Sequence, residues 1–185
     1  MKSKKLFVYS FYHFKKIIEK EKVKKKLDKY LSKFVTRGTI LIAKEGINGS
    51  ISGQENDLNN IISFIEKTLN IRSLELKINK VNFLPFNKIK VRLKKEIVSM
   101  GKGNLNESKN RGKLVPVEEW DNFISKEDVF LVDVRNNFEI DIGSFQGSIN
   151  PNTSSFREFG NKFDNLKVEK NTIIAMYCTG GIRCE

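Results

Sequence analysis

Six consecutive residues, Cys178-Thr179-Gly180-Gly181-Ile182-Arg183, combine a thiol, two glycines and a guanidinium. Paired glycines allow a tight loop whose backbone N–H groups turn toward one sulfur, and such a nest favours thiolate over thiol. The charge of Arg183 acts in the same direction, so Cys178 is expected to be nucleophilic or oxidisable without an imidazole base. The alternative reading of the same spacing is a structural cysteine buried at a strand end. Cys184, six residues on, is either a thiol that resolves an oxidised Cys178 as a disulfide or a small residue opening the next helix. A cysteine-based phosphatase places its arginine six positions after the nucleophile. Here Arg183 is five on and Cys184 takes the sixth position, which argues against that chemistry.

The remaining composition narrows the choice. One histidine, His13, and two cysteines cannot supply a zinc site of the usual kind, and no metal is expected. The same scarcity argues against a Ser-His-Asp or Cys-His arrangement. Two cysteines close together at one end are not a disulfide framework, which fits a reducing cytoplasm. With 34 Lys and Arg against 22 Asp and Glu, the formal net charge is +12, a field that attracts nucleic acid or acidic membrane. Apolar runs such as residues 39–43 and 172–178 fall well short of the roughly 20 needed to span a bilayer. The basic amino-terminal stretch has its apolar part interrupted by Ser10 and lacks a small-residue cleavage site. A soluble, unsecreted protein with no membrane partner is expected.

The elements that would carry these residues follow from periodicity. Residues 6–11 read as a strand and 14–34 as a helix. Residues 39–43 read as a strand, 45–49 as a glycine-bearing reversal and 50–52 as the returning strand. Residues 56–69 repeat the helical period and 74–78 alternate. The order β-α-β-β-α-β is that of a ferredoxin-like sandwich. Residues 88–98 alternate basic and apolar side chains, a strand with one wet, positive face. Lys88, Lys90, Arg92 and Lys94, with Lys95 after them and Lys102, Lys109, Arg111 and Lys113 beyond, form a candidate phosphate track that would position RNA without reading its sequence. Lys44 and Asn48 in the hairpin are further candidates for contact with RNA or the active site, whereas Gly46 and Gly49 are explained by turn geometry. The lysine run within residues 20–33 reads as the solvated side of a helix. Phe83 and Phe86 either stack on an unpaired base or pack beside Pro85.

Residues 101–112 mix glycine, asparagine and charge, as a linker does. Beyond them, residues 116–123 predict a helix, 129–134 and 172–177 buried parallel strands, and 156–165 a helix between the two strands. The Cys178 loop then lies at the carboxyl end of a strand, where α/β folds bind ligands. Arg135 and Glu139 are spaced for a local ion pair that fixes the turn after the first of these strands. The chain is thus expected to be α/β, with a ferredoxin-like α+β sandwich over residues 1–99, a linker at 100–114 and an α/β domain over 115–185.

Several blocks resemble a rhodanese domain in that family's usual order: Leu131-Val-Asp-Val-Arg135, Glu139, Gly143, Gly147-Ser-Ile-Asn-Pro151 and Cys178-Thr-Gly-Gly-Ile-Arg183. Together with Lys44-Glu-Gly-Ile-Asn-Gly49, Lys95-Glu-Ile-Val98 and Cys178-Thr-Gly-Gly-Ile-Arg-Cys-Glu185, they make nearly the whole chain similar to the bacterial oxygen-dependent tRNA uridine hydroxylases. That resemblance implies a cytoplasmic oxidoreductase of tRNA modification, converting the wobble uridine to 5-hydroxyuridine. Molecular oxygen is then the co-substrate, no metal or flavin cofactor is needed, tRNA is the partner and the loop cysteine, here Cys178, is essential. It also implies a rhodanese-like domain that continues beyond Glu185, so residues 115–185 are expected to be incomplete at the C-terminus and the activity of the shortened chain is left open. Two alternatives stand beside it: a persulfide-forming sulfurtransferase, the commoner rhodanese activity, and a non-catalytic RNA-binding fragment.

Overall fold

The computed structural model describes residues 5–101 and 112–185. The chain divides into two compact units, with the break between Ile97 and Val98. Residues 102–111 of the expected linker, and with them Lys102, Lys109 and Arg111, lie outside the described residues.

The first unit runs β1 (Leu6–Phe14), α1 (Lys20–Leu31), β2 (Arg37–Ala43), β3 (Gly46–Gln54), α2 (Glu55–Leu69), β4 (Glu75–Val81) and β5 (Ile89–Leu93). Its sheet has the order β4-β1-β3-β2-β5. The first four strands form the antiparallel core of the expected sandwich, and β5 adds to its edge parallel to β2. Strand alternation gathers Tyr9, Phe11, Ile40, Ile42, Ile47, Ile51 and Val91 on one face, where they pack against Leu27 and Leu31 of α1 and Leu58, Ile61 and Ile65 of α2. Each such aliphatic or aromatic side chain contributes about 1.5–3 kcal/mol by leaving water. The period of α2, with Leu58, Ile61, Ile62, Ile65 and Leu69 buried, is the one its sequence predicts.

Three elements differ from the sequence expectation. Phe14 belongs to β1, paired with Gly46, and α1 starts only at Lys20. Phe14, Ile17 and Ile18 mimic a helical stripe, but the backbone N–H groups of Lys15 and Ile17 donate to Glu45 O and Lys44 O, both at 2.8 Å, and hold the segment extended. The reversal is confined to Lys44 and Glu45, because Gly46 through Gly49 already lie in β3. Gly46 serves a close approach, since a Cβ there would stand 2.2 Å from His13 O. The basic strand ends at Leu93. After it Ile97 is buried, its N–H donating to Glu45 Oε1 at 2.6 Å and its carbonyl accepting Asn48 Nδ2 at 2.9 Å.

At Gly38 the backbone has φ +135°, and a Cβ would lie 2.1 Å from Ser50 O across the β2–β3 ladder. Gly38→Ala is therefore expected to destabilise the first unit by roughly 3 kcal/mol, combining a disallowed backbone with overpacking. A lowered midpoint in urea denaturation would show it.

The second unit contains α3 (Val117–Ile124), β6 (Val129–Asp133), α4 (Asn137–Ile140), a 3-10 turn (Phe156–Glu158) running into α5 (Phe159–Asp164), β7 (Ile173–Tyr177) and a closing 3-10 turn (Ile182–Cys184). The helix expected over residues 156–165 is thus a 3-10 turn followed by a short α-helix. β6 and β7 pair in parallel, as their continuous apolar runs predict. Val132, Val134, Phe156 and Phe159 form the core, joined by Val98, Met100, Met176, Cys178 and Cys184. Among the described residues no helix is long and apolar enough to cross a membrane.

Candidate active site at the end of strand β7

Parallel pairing brings Asp133 beside Tyr177 at the carboxyl ends of β6 and β7. Whatever follows either strand therefore emerges at the same end. Cys178 follows β7 directly, and Thr179, Gly180, Gly181, Ile182, Arg183 and Cys184 turn back around its sulfur. Gly181 has φ +86°, a left-handed backbone available to glycine at no steric cost, and it sends its N–H to Cys178 Sγ at 3.0 Å. The turn is closed by Cys184 N–H donating to Gly181 O at 2.9 Å.

These contacts set the state of the thiol. Cys178 is lowered to about 5, chiefly because the Cys184 thiol donates a hydrogen bond to its sulfur. Burial opposes this, while backbone N–H groups of the loop and the charge of Arg183 reinforce it. Cys184 is pushed up by the same hydrogen bond and by its own burial. These contacts favour the thiolate at Cys178 and the thiol at Cys184.

Arg183 is held from outside the loop. Its Nη1 and Nη2 donate to Glu139 Oε2 and Oε1, each at 2.7 Å, and Thr179 Oγ1 donates to Glu139 Oε1 at 2.7 Å. With its partners at 13% and 17% exposure, this fork is partly sheltered from water. It holds the Glu139 carboxyl down at about 2, the Arg183 hydrogen bond being the main cause. The local Arg135–Glu139 pair expected from spacing is absent. Arg135 instead folds back on Asp133, Nε at 2.9 Å from Oδ1 and Nη2 at 2.7 Å from Oδ2, and also donates to Gly143 O at 2.6 Å. The Asp133 side chain is fully buried, and burial alone would raise its carboxyl. Hydrogen bonds from Arg135 and from the Tyr177 hydroxyl, 2.5 Å away, outweigh that and lower it. Tyr177 also lies 3.0 Å from Ser148 Oγ and accepts Phe145 N–H at 3.2 Å, so the strand ends beneath the loop are tied to the segments around them.

Such a thiol has a measurable signature. Alkylation of Cys178 by iodoacetamide is expected to stay fast from neutral pH down to about 5 and then fall, and Cys184→Ala should move the midpoint upward. The folded pKa lies below the unfolded one, near 8.5, so the stabilisation is fully present above that value. It shrinks as pH falls and is lost by pH 5. A midpoint near 8.5 in the wild-type chain would contradict the geometry.

The other candidates lie in the first unit. Lys90 and Arg92 are in β5, Lys88 immediately before it and Lys94 just after it. Lys44 is exposed in the β2–β3 turn, and Asn48 is in β3 with its amide committed to Ile97 O. The structure groups the lysines and arginine of β5 along one edge strand, with Asn48 two strands inward. Phe83 is exposed, while the Phe86 carbonyl accepts Arg37 Nη1 at 3.3 Å. Residues 1–97 carry 23 Lys and Arg against 9 Asp and Glu, and residues 98–185 carry 11 against 13, so the positive excess belongs to the first part of the chain. Among the described residues no group of three or more His, Cys, Asp or Glu is placed to hold a metal ion. Sequence reasoning missed the partners of Arg183 and Asp133, Glu139 and Tyr177, each 44 residues away.

Residues 6–97 match the family model described as UPF0176 acylphosphatase like domain. Curated relatives bearing the name tRNA uridine(34) hydroxylase align with nearly the whole chain. The protein of Rickettsia bellii (strain OSU 85-389) is 42% identical over 184 residues, 99% of this chain and 74% of its own length. That of Wolbachia sp. subsp. Brugia malayi (strain TRS) is 43% identical over 178 residues, covering 96% and 66%, and that of Pelagibacter ubique (strain HTCC1062) is 44% identical over 179 residues, covering 96% and 58%. The chain therefore spans 58–74% of the length of these relatives. Among solved structures, an acylphosphatase from Bacillus subtilis is similar over 47% of this chain and 98% of its own, with a TM-score of 0.36 and 9% identity.

Proposed function

Because the chain belongs to the family of the tRNA uridine(34) hydroxylases, we propose that it hydroxylates the wobble uridine of tRNA at C5, giving 5-hydroxyuridine, with molecular oxygen as co-substrate and Cys178 as the reacting residue. The second unit is then a rhodanese-like domain. The observation that carries this reading is the Cys178 sulfur in its glycine loop, which accepts the Gly181 N–H at 3.0 Å and whose thiolate form the neighbouring Cys184 thiol favours.

The chemistry follows from what a thiolate does to an electron-poor pyrimidine carbon. Addition of Cys178 Sγ to C6 of uracil makes C5 an enolate carbon that can take up dioxygen, and departure of the thiolate with loss of the C5 proton restores the ring. One oxygen atom stays on C5. The other leaves as water and needs two electrons, which the Cys178–Cys184 dithiol supplies by becoming a disulfide. Uridine, dioxygen and two thiols thus give 5-hydroxyuridine, water and one disulfide, and an external dithiol resets the pair. The excess of cations in residues 1–97 supports tRNA as the substrate.

The test is to quantify 5-hydroxyuridine by mass spectrometry in total tRNA from a host lacking the modification, with and without this chain and with a version extended to its relatives' length. Restoration of the nucleoside by the extended form supports the reading. Failure of both soluble forms overturns it. The same thiolate suits a persulfide, and a gain of one sulfur on Cys178 with turnover to an acceptor and no need for tRNA would assign sulfur transfer instead.

A further inference from the structure

The sheet of the first unit buries one face under α1 and α2. On the opposite face the strand registers align a row that crosses all five strands: Lys77 in β4, Ser10 in β1, Ser50 in β3, Thr39 in β2 and Lys90 in β5. At about 4.8 Å between neighbouring strands the row is about 19 Å long. Its centre is small and hydroxylated, Ser10 Oγ and Ser50 Oγ lying 2.8 Å apart, and both its ends are cationic. The adjacent row on the same face is Glu75, Tyr12, Asn48, Leu41 and Arg92. Tyr12 stands in edge-to-face contact with Phe14, ring centroids 6.2 Å apart. Ser10, Tyr12, Thr39, Ser50 and Lys90 are half-buried, and Lys77 and Arg92 are exposed.

We propose that this face is a docking platform for single-stranded RNA, and specifically for the unpaired anticodon-loop strand of the tRNA; the inference rests on tRNA being the substrate. Four features fit this occupant. The side chains at the centre of the first row are small, which leaves room for splayed bases, and Asn48 in the second row is held by Ile97 O of the segment after β5, so the first row is the part that admits RNA. Tyr12 offers a ring on which a base stacks. The hydroxyls of Ser10, Ser50 and Thr39 can both donate to and accept from base edges and 2′-hydroxyls. Lys77, Lys90 and Arg92 supply charge complementary to phosphate at both margins, against Glu75 as the one acidic residue in the two rows. Lys90 and Arg92 are two of the four residues in the basic alternation of β5, and the register shows which way that alternation faces.

The experiment measures binding of the full chain to an anticodon stem-loop RNA and to a blunt RNA duplex of equal length, across a series of salt concentrations. The stem-loop is expected to bind more tightly than the duplex. In the double variant Lys90→Gln with Arg92→Gln, the slope of log affinity against log salt should become shallower by about 1.4, as when two phosphates of a single strand are no longer neutralised. Tyr12→Leu should weaken stem-loop binding about tenfold with the slope retained, the signature of a lost stack. Lys25→Gln with Lys29→Gln, on the exposed side of α1, should leave the slope unchanged. Equal affinity for stem-loop and duplex, or wild-type slope and affinity in the folded β5 and Tyr12 variants, overturns the platform. Should Tyr12→Leu not fold, photocrosslinking of the wild-type chain to a stem-loop carrying 5-bromouridine in its loop decides: crosslinks within residues 6–14 or 37–52 support the platform, and crosslinks confined elsewhere overturn it. Normal hydroxylation with normal binding by every surface variant would sink the platform and leave the hydroxylase reading standing. Platform binding with no 5-hydroxyuridine formed would do the reverse.

Discussion

Cys178→Ala in the hydroxylation-competent chain is expected to lower formation of 5-hydroxyuridine by at least about a thousandfold, the scale that follows removal of a covalent nucleophile. Cys178→Ser should do no better. A serine hydroxyl in the same loop stays protonated at neutral pH, whereas the thiol is lowered to about 5 by the Cys184 hydrogen bond. Both variants should bind tRNA as the wild type does, because the cationic excess lies in residues 1–97. The measurement is nucleoside mass spectrometry beside a tRNA-binding titration. Residual activity within tenfold of wild type would remove Cys178 from the chemistry, and lost binding would mean that the substitution had disturbed more than the thiol.

The second large effect is expected at Glu139, which never touches the sulfur. Glu139→Gln removes the negative charge and replaces one of the two acceptor oxygens that hold the terminal nitrogens of Arg183 and the Thr179 hydroxyl by an N–H donor. Removing one partner of a sheltered ion pair leaves the other unsatisfied, and the expected loss is about 3 kcal/mol in the second unit, at the low end of what such removals cost. The loop should loosen with it, so the iodoacetamide midpoint of Cys178 should rise even at temperatures where the variant is folded. Glu139→Asp, with a shorter reach, should restore part of the midpoint shift and glutamine none. The wild-type carboxyl, held at about 2, contributes its stabilisation above the ordinary carboxyl range near 4.5 and loses it as pH falls toward 2. A far-ultraviolet and thermal-melt series between those pH values should show a steeper loss in wild type than in Glu139→Gln. Identical profiles would place the Glu139 contacts outside the energetics of the fold.

How far the sequence disclosed all this depends on whether the signal is local. The Cys178 loop is read from six adjacent residues, and its sulfur-directed N–H comes from one of the two glycines that suggest it. The βαββαβ unit is read from periods of two and 3.6 that its core obeys, as α2 shows residue by residue. Failures occur where a local pattern competes with a distant partner. Phe14, Ile17 and Ile18 fit a helical stripe, yet pairing of Phe14 with Gly46 across 32 positions keeps the strand extended. Gly46 and Gly49 suggest a turn, while the first of them is needed because a neighbouring carbonyl passes too close for a Cβ. Arg135 and Glu139 are four apart, the spacing of a helical ion pair, but their real partners are Asp133 and Arg183. Only strand pairing brings the Glu139 turn and the Arg183 loop to one end of the sheet. No single-sequence feature announces a contact across 44 positions.

The aromatic cluster at the end of β7 has a spectroscopic consequence. Trp120 is the only tryptophan among the 185 residues, and its ring lies 6.3 Å from Tyr177 and 5.8 Å from Phe145. Its indole N–H is buried without a hydrogen-bond partner among the described residues, an apolar setting that shifts emission to shorter wavelength. Light absorbed by Tyr177 at that distance passes to the indole instead of being emitted. Excitation on the red edge of the absorption band therefore makes one unit luminous and leaves the other dark, because Tyr9, Tyr12 and Tyr30 of the first unit do not absorb there. The molecule carries its own optical label on the cysteine-bearing half, and the unfolding of that half can be followed in the intact chain with no dye attached.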